Sequence, residues 1–256
     1  MNSAQKLYLL DVEGTVAPLT LTTSQLFPYA RKHLSEFLER HAADRTVGDD
    51  LLLLLEENLR ENEPGVPEIL SGEEQREARR GGRRSLSIGG VALRERALTY
   101  LLWLMDRDRK STALKSLQGK IWKAGFALGE LKATLFDDVP DALARWSAAG
   151  RVAIYSSGSV EAQRLVFRHS IFGDLTGMIS NYFDTRTGAK GEPASYSAIA
   201  AAMDVAPNEV IFFSDVVREL DAARAAGCKT RLVVREGNAL VEDAHGHAAV
   251  ESFALI

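Results

Sequence analysis

The sequence predicts an α/β protein whose parallel sheet is interrupted, after its first strand, by a helical insert. Three observations lead there. Short apolar runs ending in polar residues recur at Leu7–Leu10 (LYLL), Arg151–Tyr155 (RVAIY), Val210–Phe213 (VIFF) and Lys229–Val234 (KTRLVV). From Phe136 onward these runs alternate with helical segments, the rhythm of a parallel sheet covered on both faces. Between Pro18 and Leu131, by contrast, helical periodicity dominates and no run reads as a strand.

The chain has 256 residues, enough for one large domain or two modest ones, and is 46% apolar and 26% charged. Its 31 basic and 35 acidic residues leave a net charge of −4, which argues against nucleic acid or an anionic membrane as partner. The single cysteine, Cys228, rules out an intramolecular disulfide and a cysteine metal cage, and suits a small core residue in a reduced, cytoplasmic setting. No stretch of about 18 apolar residues and no signal-peptide pattern is present, so no membrane partner is expected. No coiled-coil seam is visible, and a monomer is the expectation.

In chain order, LYLL is followed by Asp11, Glu13, Gly14 and Thr15. Pro28 opens PYARKHLSEFLERHAAD, with Ala30, Leu34, Phe37 and Leu38 at helical spacing. Asp50 precedes LLLLLEENLRENE, whose acidic end opposes the helix dipole and predicts early termination. Arg76, Arg79, Arg80, Arg83 and Arg84 cluster around a Gly pair and suit either a solvated loop or an anion-binding one. VALRERALTYLLWLM and KSLQGKIWKAGFAL complete four helical segments. Pro140 suits the first turn of DALARWSAAG, with Asp137 and Asp138 serving the turn before it. RVAIY ends in Ser156, Ser157, Gly158 and Ser159, and VEAQRLVFRHS follows as a helix. MISNYFD suggests a short strand, YSAIAAAMDV a helix, VIFF a strand ending in Ser214 and Asp215, and LDAARAAG a helix stopping at Gly227.

In a parallel sheet the carboxyl ends of strands share one edge, where ligands bind. That edge would gather Asp11 and Glu13, Ser156 and Ser157, and Asp215. Asp11 alone also suits a strand-ending turn cap. Together, Asp11 and Asp215 offer oxygen ligands suited to Mg2+, which binds through one or two carboxylates plus substrate phosphate. Ser156 or Ser157, with N–H groups near Gly158 at a helix start, can hold phosphate oxygens. Lys190, between Gly188 and Gly191, could bring a cation to the same edge. Glu219 and Asp221 could bond Lys190 or stand in solvent; His245 and His247 read as solvated.

This set resembles the haloacid dehalogenase-like phosphohydrolases, whose pattern is an Asp-x-Asp pair, a Ser or Thr, a Lys and a final acidic strand end. Here those positions read Asp11-Val12-Glu13, Ser156 or Ser157, Lys190 and Asp215. Glu13 departs from the usual Asp, and one branch shares that departure: the enolase-phosphatases, or acireductone synthases, of methionine salvage. DVEGTVAPL, LFPYARKHL, MDRDRKSTALKSLQGKIW, GELKATLFDDVPDALARW, IYSSGSVEAQRLVF, GAKGEPASY and FFSDVVRELDAARAAG all carry the likeness to that branch.

The resemblance implies a Rossmann-like core of residues 1–18 and 132–256 with a helical cap of 19–131. The substrate would be the phosphorylated small molecule 2,3-diketo-5-methylthiopentyl-1-phosphate, enolised and then dephosphorylated to an acireductone. Asp11 would be the nucleophile, and Asp11, Glu13 and Asp215 would hold Mg2+, Glu13 through its carbonyl. Glu13 would double as acid and base, and Ser156, Ser157 and Lys190 would bind the phosphate. The enolisation base stays open between Glu13 and a cap residue; Gln118 and Gly119 are cap candidates for facing substrate. A phosphatase of a small sugar phosphate is the alternative. A receiver-type signalling module has similar strand ends but no insert of this length.

Overall fold

The computed structural model describes residues 6–79 and 90–256. Arg80, Arg83 and Arg84 of the basic cluster lie outside the described residues. The chain divides into two compact units, Met1–Gln25 with Phe126–Ile256, and Leu26–Gly125.

The unit Leu26–Gly125 is helical: α1 (Phe27–His41), α2 (Arg45–Arg60), α3 (Gly72–Arg79), α4 (Val91–Asp106) and α5 (Thr112–Ala127), the last running on into the other unit. Leu34, Leu38, Leu54, Leu101 and Leu117 recur on the inward faces and are buried. Trp122 donates its indole N–H to the Leu26 carbonyl at 2.8 Å. The acidic tail Glu61-Asn62-Glu63 falls outside α2, as the dipole argument expects. The segment expected as a solvated loop is helical as far as α3 because Ser71-Gly72-Glu73-Glu74 is a capping box. Glu74 accepts the Ser71 N–H at 2.7 Å, and Ser71 Oγ accepts the Glu74 N–H at 3.4 Å.

The other unit holds one six-stranded parallel sheet: β1 (Leu7–Leu10), β2 (Arg151–Tyr155), β3 (Asn181–Phe183), β4 (Val210–Ser214), β5 (Lys229–Val233) and β6 (Ala248–Val250), in the order β3-β2-β1-β4-β5-β6. Helices α6 (Val139–Ala149), α7 (Val160–Arg168), α8 (Pro193–Ala202) and α9 (Val217–Ala225) form the crossovers. β1 is central and buried throughout, which is why its sequence is apolar on both faces. Leu7 and Leu9 join Tyr196, Ile199, Phe212 and Leu220 in one core cluster. Tyr8, pointing the other way, stacks on Trp146 of α6 at 5.1 Å, and Trp146 stacks on Phe213 at 5.0 Å. Truncating Leu9 to alanine would cost about 2–5 kcal/mol.

β6 was not visible in the sequence. It is a three-residue edge strand whose residues are mostly exposed, so backbone pairing defines it and no apolar run announces it. It corrects the reading of His247, which is 5% exposed and sits between Thr230 Oγ1 (2.7 Å) and Asp221 (3.1 Å). Asp138 is likewise reassigned. It stands at the N-cap of α6 without a side-chain cap bond, and its carboxylate binds Arg235, Ser252 and the Phe253 N–H instead. Among the described residues no helix is long and apolar enough to cross a membrane.

Candidate active site

The register of β1 sets Leu10 beside Ile154 of β2 and Phe213 of β4. One residue further, Asp11, Tyr155 and Ser214 stand in a row at the carboxyl edge, and the Asp11 N–H still donates to the Phe213 carbonyl at 3.0 Å. The Asp11 side chain is buried. Its Oδ1 accepts from the Val12 N–H at 2.7 Å and from Lys190 Nζ at 2.7 Å, whereas Oδ2 has a long 3.5 Å contact with Ser214 Oγ. Lys190 Nζ also reaches Glu219 Oε2 at 2.6 Å, and Ser214 Oγ donates to the same oxygen at 3.0 Å. The expected meeting of Asp11 and Lys190 is therefore direct, and Glu219 joins them from α9.

Asp215 enters by a different constraint. Gly14 has φ +71°, and a Cβ placed there would lie 2.3 Å from Asp215 Oδ2. The turn after β1 thus needs glycine twice over, for its backbone and for the close approach of this carboxylate. Burial, then the neighbouring Asp11 charge, pushes the Asp215 carboxyl up to about 6. Burial also raises Glu219, and the Lys190 charge does not undo it. Burial opposes the charge on Lys190, but Asp11 and Glu219 outweigh it and hold the ammonium above the ordinary lysine range.

Two carboxylates thus contact one ammonium, and Asp215 adds a third negative group beside Asp11. A site with this deficit of positive charge suits a divalent cation. Among the described residues no three His, Cys, Asp or Glu side chains form a metal cage. The Asp11 and Asp215 carboxylates suit a cation that keeps several waters and takes one or two carboxylates, as Mg2+ does. Glu13 lies two residues beyond Asp11, half-buried and outside the Lys190 network.

The serines fall over the neighbouring strand end. Ser156 follows β2, is nearly buried, and its Oγ accepts the Gly158 N–H at 3.3 Å. Ser157 is exposed. The cap of α7 is neither of these but Ser159, whose Oγ accepts the Ala162 N–H at 3.2 Å.

The loop that carries Lys190 is held by groups the sequence did not point to. Three successive carbonyls accept side-chain hydroxyls: Gly188 from Tyr155 (3.0 Å), Ala189 from Ser195 (2.8 Å) and Lys190 from Tyr196 (2.7 Å). Tyr155 and Tyr196 are fully buried core aromatics. Their hydroxyls add an orienting role that only the fold reveals. Asp221 takes no part in the site, bonding His245, His247 and Arg224. Cys228 is a buried core residue whose thiol burial pushes up to about 11. Gln118 is buried in α5, and a Cβ on Gly119 would meet open space.

A parallel α/β sheet with a carboxylate and a lysine meeting at the end of its central strand is the architecture of a phosphohydrolase-type core. The family model for haloacid dehalogenase-like hydrolases matches residues 5–227. Enolase-phosphatase E1 of Synechococcus elongatus is 48% identical over 235 residues, covering 91% of this chain and 90% of its own length. The protein of the same name from Pseudomonas syringae is 40% identical over 252 residues, covering 98% and 96%. The crystal structure of the UTR4 protein from Saccharomyces cerevisiae superposes with a TM-score of 0.74 at 31% identity, covering 98% of this chain and all (100%) of that one. CbbY from Rhodobacter sphaeroides, solved with xylulose-(1,5)bisphosphate, shares the fold alone, with a TM-score of 0.54 at 17% identity over 98% and 95% of the two chains. This chain belongs to the enolase-phosphatase branch of the haloacid dehalogenase-like hydrolases.

Proposed function

We propose that this chain converts 2,3-diketo-5-methylthiopentyl-1-phosphate to its acireductone and phosphate, by enolisation followed by phosphoryl transfer to Asp11. The observation that carries the reading is the Asp11–Lys190 contact at the end of β1, in a chain of this family. Lys190 and the Val12 N–H engage Oδ1, which leaves Oδ2 as the attacking oxygen. Asp11 attacks phosphorus as the bond to the enol oxygen breaks, giving an aspartyl-phosphate. Glu13 donates a proton to that leaving oxygen. It then takes one from the water that attacks phosphorus and regenerates Asp11.

Lys190 stays an ammonium and acts as a fixed positive charge on the phosphoryl oxygens, not as a base. Ser156 and Ser157 bind the phosphate. Asp11 and Asp215, with the Glu13 backbone carbonyl, would hold Mg2+, which supplies charge neutralisation for the phosphoryl group and the enolate. Asp215, raised by burial beside Asp11, is a carboxylate that such a cation would favour in its ionised form. The helical unit serves as the cap domain, a role its place between β1 and β2 supports. The working state is a cytoplasmic monomer.

The test is anaerobic turnover with Mg2+ of the diketo phosphate beside a panel of sugar phosphates, following enediol absorbance and released phosphate. Absorbance that precedes phosphate, with poor use of the panel, is expected. Phosphate without an enediol step, or better turnover of a sugar phosphate, would sink the assignment.

A further inference from the structure

The backbone just after Asp11 is held from behind by the carboxyl-terminal part of the chain. Within the turn, Val12 O accepts the N–H groups of Val16 and Ala17 at 2.9 Å, and the Gly14 N–H donates to Ala17 O at 2.8 Å. Three successive carbonyls of the turn have their partners elsewhere. Gly14 O accepts from Asn238 Nδ2 at 2.9 Å, Thr15 O from Arg235 Nε at 3.2 Å, and Val16 O from the Phe136 N–H at 3.0 Å.

Arg235 is itself immobilised. Its side chain is 7% exposed, and its fork meets Asp138 at 2.8 and 3.0 Å. Nη1 also donates to Glu251 O at 3.2 Å. The guanidinium lies between the rings of Phe136 (4.5 Å) and Phe253 (4.4 Å). Asp138 in turn accepts from Ser252 Oγ at 2.9 Å and the Phe253 N–H at 2.7 Å. A planar fork with four of its five N–H groups bonded, set between two rings, is fixed in one orientation that a lysine cannot reproduce. The Lys190 loop is also held through three successive carbonyls, there all by side-chain donors.

We propose that Arg235 and Asn238 are positioning residues for the reaction: they fix the Gly14 and Thr15 carbonyls, and so aim the Asp11–Glu13 backbone at the reacting phosphate, with Asp138 locking Arg235 in place. This rests on the assignment of Asp11 and Glu13 made above. A loop left free by even 1 Å would lose reacting geometry, where misplacement of that size costs up to about a hundredfold in rate.

The test uses the full chain with Asn238→Ala, which removes one side-chain donor from the loop, and Arg235→Lys, which keeps the charge and loses the fork. Hydrogen exchange of the peptide spanning residues 11–17 is read without substrate, beside the melting temperature, then kcat and KM. For Asn238→Ala we expect faster exchange in that peptide, a kcat loss of about tenfold with KM nearly unchanged, and a melting temperature close to wild type. Arg235→Lys should show the same pattern, larger, with a lower melting temperature. Unchanged exchange in Asn238→Ala, or a lower melting temperature with unchanged kcat, would overturn the proposal and leave both residues as packing groups. Failure of the wild type on the diketo phosphate would strike the substrate assignment, while the exchange data would still judge the clamp.

Discussion

Asp138 and Asp215 are both acids of the α/β unit withdrawn from water, and the fold surrounds them in opposite ways. Burial works against the charge on Asp138, but Arg235, the Phe253 N–H and the Ser252 hydroxyl outweigh it and hold its carboxyl below the usual range. Around Asp215, burial and Asp11 act together, and its carboxyl rises to about 6. One carboxylate has its full set of partners and serves architecture. The other stands at the mouth of a charge deficit that the protein alone does not fill. An uncompensated acid at a strand end is the group that the proposed cation and phosphoryl group would balance.

The largest effect that would break this contrast is at Lys190. Lys190→Met should cut turnover by about a thousandfold or more, because it removes the ammonium proposed to neutralise the transferring group. It should also lower the melting temperature near pH 8, leaving Asp11 and Glu219 unpaired. That deficit should shrink toward pH 5, where the raised carboxyls take up protons. A melting temperature independent of pH would show that the carboxylates do not repel as described.

Asp138→Asn tests the balanced side. It leaves the Arg235 charge without its partner and should cost about 3 kcal/mol in denaturant unfolding. The sign of the pH effect follows from the depressed value. The stability Asp138 contributes is present above its unfolded value of 3.8 and is lost as pH falls through the lower folded one.

Asp215→Asn should act oppositely. A raised folded value means the folded state binds more protons than the unfolded one between 3.8 and about 6. Stability without metal therefore falls as pH rises through that window. The amide should raise the metal-free melting temperature at pH 7 by about 2–4 °C for each kcal/mol of repulsion relieved, while weakening Mg2+ binding measured by calorimetry. A lower melting temperature would contradict the reading.

The smallest change sharpens the picture at the turn itself. Thr15 is fully buried and its hydroxyl has no partner among the described residues. Thr15→Val should stabilise by about 1 kcal/mol, read as a small rise in melting temperature.

The site's skeleton was legible because strand ends in a parallel sheet share an edge. Asp11, Ser156 and Asp215 each follow an apolar run, and that pattern survives in one dimension. What pairs with them was not. Arg235 meets Asp138 across 97 positions, and nothing in the local pattern of either residue names the other. The Ser159 helix cap and the capping box at Ser71 each rest on side-chain bonds to the backbone, and the exposed edge strand β6 on backbone pairing alone. Tyr155 and Tyr196 carry core and hydroxyl roles at once, and periodicity reports only the first.

The proposed reaction depends on Asp11 as the group that receives the phosphoryl. The direct measurement is an acid quench during turnover of the diketo phosphate, with peptide mapping of the enzyme. The expected result is a phosphorylated peptide containing Asp11, absent in Asp11→Asn, which should release no phosphate. Label on another residue, or phosphate released by Asp11→Asn at the wild-type rate, would contradict it.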